Sequence, residues 1–99
     1  MLSKQTKTFL NDYTVTTPMS GNVFVKIGMT SGYNTIICTV KTIASDETQV
    51  KVNDVVLVLE DNIVSFDFND KYYRQIKTSE ILCVLSKKAT QVTSETIDQ

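Results

Sequence analysis

The sequence predicts an all-β protein, and three observations carry that expectation. Apolar residues recur at alternate positions in short runs, the runs favour Val, Ile, Thr, Phe and Tyr, and clusters of Asn, Asp, Gly or Ser bound most of them. No segment sustains a 3.6-residue apolar period over three turns, so no long amphipathic helix is expected. About six strands at regular spacing fit a sandwich or a small barrel. A barrel is favoured because few of the runs look protected as edges, and closure removes edges.

The elements follow in chain order. Residues 1–17 read as a polar, Thr-rich N-terminal arm with Phe9, Leu10 and Tyr13 as anchors, and a short strand is expected near Tyr13 to Thr16. Pro18 and Gly21 then mark a break. Val23, Val25 and Ile27 alternate with Phe24 and Lys26 in the first full strand, and MTSGYN supplies turn residues. Ile36, Cys38 and Val40 alternate in the next strand, and SDETQ makes a polar connection. In VKVNDVVLV, Val50 and Val52 read as one strand face. Asn53-Asp54 takes a sharp bend, because Asn tolerates positive φ and Asp bonds its local backbone. Val55–Leu59, Ile63–Phe68, Tyr72–Lys77 and Ile81–Leu85 complete the set, separated by Glu60-Asp61-Asn62, Asn69-Asp70 and a hydroxyl-capped turn at Thr78-Ser79-Glu80. The barrel is bounded at residues 18–86, and 87–99 read as a polar C-terminal tail with Val92 and Ile97 to dock.

Composition narrows the function classes. With 99 residues the chain makes one domain, and 41% apolar with 21% charged residues is ordinary for a soluble globular protein. The net charge of −1 and the lack of a basic run argue against nucleic acid as a partner. No apolar run approaches a membrane span, and Lys4 and Lys7 are followed by no apolar leader, so a cytoplasmic protein is expected. Cys38 and Cys83 lie inside apolar strands with no CxxC pair and no histidine to complete a zinc set, so both read as buried thiols.

The residues that catalysis needs are missing. There is no histidine to act as general base, and Gly-x-Ser-x-Gly is absent. Gly28-Met29-Thr30-Ser31-Gly32 lacks the lysine and spacing of a phosphate loop. Asp67-Phe68-Asn69-Asp70-Lys71 begins like a calcium loop, but lysine stands at the fifth position and the required glycine and distal Glu are missing. No enzyme, catalytic residue, metal site or cofactor is expected. Tyr72-Tyr73-Arg74 suggests a stacking platform, yet two adjacent strand tyrosines face opposite ways, so at most one serves it.

VKVNDVVLV followed by YYRQIKTSEILCVL resembles the C-terminal half of the co-chaperonin (GroES-type) family. Val50, Lys51, Val52, Asp54 and Val56 match one motif, with Asn53 where the family usually has glycine. Ser79, Glu80, Ile81, Leu82 and Val84 match the last strand, and PMSGNVFVKI looks like the first. The resemblance covers residues 18–86 and implies a small GroES-like β-barrel with an N-terminal arm and a polar C-terminal tail. Family members form rings in which a terminal strand pairs with the next subunit's first strand, which makes Val23, Val25, Ile81, Cys83 and Leu85 interface candidates. The filling of the chain's own core is the competing reading of those residues. The family's long mobile loop and roof are cut down here to GMTSGYNT and ASDETQ, leaving Met29 or Tyr33 as a reduced partner contact, with ordinary turn residues as the competing reading.

The resemblance therefore implies a non-enzymatic, self-associating co-chaperonin-like protein that acts in folding or in assembly of a larger particle. The alternative is the same barrel reused as a viral (phage) structural or capsid-accessory protein without chaperonin binding. Partners are then other copies and a chaperonin or a capsid, in the host cytoplasm or in the virion.

Overall fold

The computed structural model describes residues 10–88. Phe9 and the tail positions Val92 and Ile97 lie outside them. Six strands are present: β1 (Asn22–Gly32), β2 (Thr35–Ile43), β3 (Val55–Leu59), β4 (Val64–Phe68), β5 (Lys71–Lys77) and β6 (Ile81–Leu85). They form one antiparallel sheet in the order β4-β5-β1-β2-β3-β6. The all-β expectation holds. Among the described residues no pairing joins β4 to β6, so the two outer strands remain edges.

Register puts the core on one face. Val23 lies opposite Ile76, Val25 opposite Val40, Cys38 opposite Val56 and Ile36 opposite Val58. These residues and Val50 form one buried cluster, bordered by Ile27, Ile43, Ile63 and Ile81. Among the described residues no second layer covers that face. A single sheet hides such residues from water only by curling, and β-bulges supply the local bend. The β1–β2 register slips at Phe24/Val25, at Ile27/Met29 and at Thr30/Gly32, and β3–β6 slips at Leu57/Val58. At the second slip Gly28 is required, since a Cβ there would stand 2.9 Å from the Ile37 carbonyl oxygen.

Turn chemistry fixes the hairpins. Asn69 and Asp70 have φ of 53° and 67° between the paired residues Phe68 and Lys71, the two-residue pattern of a type I′ turn. Tyr33 and Asn34 close β1 onto β2, with Asn34 at φ 62°. The β1–β2 connection is thus two residues long, because strand pairing runs out to Gly32 and Thr35 and takes up most of GMTSGYNT.

Three local expectations are corrected. No strand spans Val50–Val52: the Asp54 N–H donates to the Lys51 carbonyl (3.0 Å), and the Asp54 carboxylate accepts the Lys51 N–H (2.9 Å). This closes a turn with Asn53 at φ 77°, and only Val50 turns into the core. No strand forms at Tyr13–Thr16, where the Tyr13 N–H instead bonds the Leu10 carbonyl in a turn (3.1 Å). The 3₁₀ turn Thr78–Glu80 has no side-chain cap: Lys77 stands at the N-cap, and the Thr78 hydroxyl donates to Glu47 Oε1 (2.9 Å).

Candidate functional site

The outer edge of β6 is the first candidate. Its sequence, ILCVL, holds no charge and no proline, the devices that normally blunt an edge. Leu82 is 51% exposed, Val84 46%, and Cys83 is also exposed. The Leu57/Val58 register slip leaves Leu82 as an unpaired extra residue. Of the five interface candidates, Cys83 is available to a neighbour, while Ile81 and Leu85 are half-buried.

Val23 and Val25 fill the core, the competing reading of these residues. Both are buried in the chain's own core, and Val23 is paired on both sides, with Ile43 and with Ile76. Neither side chain is exposed. Cys83 corrects the expectation of two buried thiols, because β6 is an edge strand with nothing described outside it. Cys38 does sit in the core, where burial pushes its thiol pKa up and the nearby Arg74 guanidinium partly offsets the rise. Leu82 and Val84 were missed as surface residues. An apolar run with no polar alternation, ending the last strand, is the signal that could have found them.

The hairpin tip is the second candidate. Tyr33 is 98% exposed and Met29 is exposed on β1. The tip itself is tied down. The Glu60 N–H donates to the Asn34 carbonyl (3.0 Å), and the Asn34 side-chain amide reaches Asp61 Oδ2 (3.5 Å).

A third feature escaped the sequence. β1 and β5 pair only over Asn22–Phe24 and Gln75–Lys77, then part. The fork holds a cleft of about 540 Å³ lined by residues 24–27 of β1, 72–74 of β5, part of β2, and Val15 and Thr16 of the arm. One wall is a packed aromatic group. Tyr73 stacks on Phe66 (centroids 5.3 Å, planes 19° apart), and Phe24 lies 5.7 Å from Tyr73 and 6.0 Å from Phe66.

Glu47 links the polar connection to the sheet. Partial desolvation pushes its carboxyl pKa up and Asp46 adds to that. The N–H groups of Gln49 (2.7 Å) and Val50 (3.1 Å) and the Thr78 hydroxyl outweigh both, so the pKa falls below the ordinary glutamate value. Among the described residues no helix is long and apolar enough to cross a membrane. No protein-family model and no curated protein matches this chain significantly.

Proposed function

We propose that this chain is a non-enzymatic subunit that associates with copies of itself and serves protein folding or particle assembly, as a co-chaperonin does. The observation that carries this reading is the bare apolar edge of β6. Unpaired backbone N–H and C=O groups beside exposed Leu82, Cys83 and Val84 form a template for one more strand. The first strand's backbone is already taken at Val23, which leaves the arm before Pro18, β1 beyond Phe24 and the outer edge of β4 as segments of a second copy to meet β6. The resemblance to the GroES-type family gains support at Asn53. Its φ of 77° is the conformation that calls for glycine or asparagine, so Asn53 does the work of the family's glycine.

A second reading, reuse of the fold as a viral structural component without chaperonin binding, draws on one observation. Where the family carries a mobile docking loop, this chain has the two-residue turn Tyr33-Asn34, anchored to Glu60 and Asp61. Sedimentation velocity at high micromolar concentration tests the shared premise, with an oligomer expected and a persistent monomer sinking it. Mixing the oligomer with the host's chaperonin, with and without adenine nucleotide, separates the readings. Nucleotide-dependent binding supports the first, and its absence leaves the second.

A further inference from the structure

Strand β6 is close to symmetric about its own centre in everything but charge. Its apolar pentapeptide Ile81–Leu85 is centred on Cys83, with Glu80 before it and Ser86-Lys87-Lys88 after it. An acidic end and a basic end complement each other only when two such strands lie antiparallel. Aligned over the pentapeptide, each copy's Glu80 stands opposite Ser86 of the other and one position from Lys87. A parallel pair sets Glu80 against Glu80 and lysines against lysines. Among the described residues neither Glu80 nor Lys87 nor Lys88 makes a side-chain hydrogen bond or ion pair, so all three charges are open to a neighbour.

The backbone agrees with that arrangement. Across β2 and β3 the Glu60 N–H donates to the Asn34 carbonyl and the Val40 N–H to the Asp54 carbonyl, so the even-numbered residues of these strands bond one another. The odd-numbered residues of β3 therefore turn to β6. This directs the Cys83 and Leu85 backbones inward, onto Leu57 and Val55, and leaves the Val84 N–H and C=O pointing out. A two-fold axis at Cys83 sets Val84 against Leu82 of the second copy, both of them exposed. Cys83 then faces Cys83 as a non-hydrogen-bonded pair, the kind whose side chains approach most closely. On that face the register aligns Met29, Ile37, Leu57 and Cys83, one from each of four neighbouring strands, and the axis continues this apolar row into the second copy.

We infer that the occupant of the β6 edge is β6 of a second copy, antiparallel about a two-fold axis at Cys83. This rests on the self-association proposed above, and adds to the arm, β1 and β4 a fourth segment, the one whose charges complement the edge it meets. The contact uses one patch on both copies and closes at a dimer, itself a unit for a larger, even-numbered particle. Oxidation of the full chain with diamide tests it, the reagent taking up two hydrogens as two thiols join. Residues opposed in this way stand about 4.5 Å apart at Cα, within the span of a disulfide. A dimer linked through Cys83 is expected on a non-reducing gel, and none from Cys83→Ser, whose remaining thiol, Cys38, is buried. By sedimentation at low salt, Glu80→Lys is expected to raise the dimer Kd about fivefold. The double change E80K/K87E is expected to bring it back, because residues 80 and 87 lie at opposite ends of one strand and meet only between copies. Should a charge variant not fold, the cross-link on the unaltered protein still decides. A chain that stays monomeric at high micromolar concentration overturns the self-association and this inference with it. An oligomer that does not cross-link at Cys83, that has an odd number of subunits, or in which folded E80K/K87E is no better than Glu80→Lys overturns the inference alone.

Discussion

The two edges of the sheet solve the same problem in opposite ways. β4 ends one side with VSFDF, in which Ser65 and Asp67 are exposed and Phe66 is drawn into the cluster with Phe24 and Tyr73. β6 ends the other with ILCVL, whose three middle residues all face solvent without a charge among them. An edge that carries a carboxylate and holds down its ring discourages a further strand, and one that carries neither invites it. The difference teaches where the chain spends its apolar surface. β4 draws in Phe66 and sets its exposed Val64 beside a carboxylate, while β6 leaves three apolar residues outward with no charge among them.

Exchanging the devices between the edges should produce the largest effect. Leu82→Lys places a charge on the bare edge at a residue with no strand partner in the chain, and it is expected to reduce the particle to a monomer by sedimentation velocity. Asp67→Val removes the charge from β4 and should add a new, concentration-dependent association. If both variants sediment like the parent, the contrast between the edges has no functional weight.

Next in size is Phe66→Ala. Truncating a ring that packs against two others costs about 2 kcal/mol, somewhat below a fully buried ring because Phe66 is half-buried. The urea midpoint reads it, and an unchanged midpoint would mean that β4 is held by its backbone ladder alone.

The smallest effect lies between the edges, at Glu47. Its carboxyl pKa is depressed in the folded chain, so its stabilisation is present above the ordinary glutamate value and is lost as pH falls through the folded value. Thermal melts across that acid range should therefore decline more steeply for the parent than for Glu47→Gln. Parallel curves would show that the Thr78 and backbone hydrogen bonds to Glu47 carry no linkage.

Much of the sheet was legible because strand and turn signals are local. The Asn69-Asp70 turn, the bend at Asn53 and the alternation of Ile36, Cys38 and Val40 each follow from residues within a few positions. The Val50–Val52 strand failed because Asp54 closes a turn over Lys51, a choice that apolar alternation does not record. Cys83 was misplaced because an apolar pentapeptide reads alike in a sheet centre and at its edge. The cleft was beyond reach, since its lining comes from three strands and the arm and is assembled only after β1 and β5 have paired and parted. Chain-wide charge therefore said nothing about it.

That same short seam sets a hierarchy of cooperativity. The β4–β5 hairpin closes through a two-residue loop, so its contacts are local and quick to form. Its backbone pairing to the rest of the sheet is Asn22–Phe24 against Gln75–Lys77, a meeting of residues more than fifty positions apart. The unit forms locally and docks late, along three residue pairs, with Ile76 set into the core and Phe24 against Phe66 and Tyr73. The fork therefore marks the seam along which an early-formed hairpin joins the rest of the sheet.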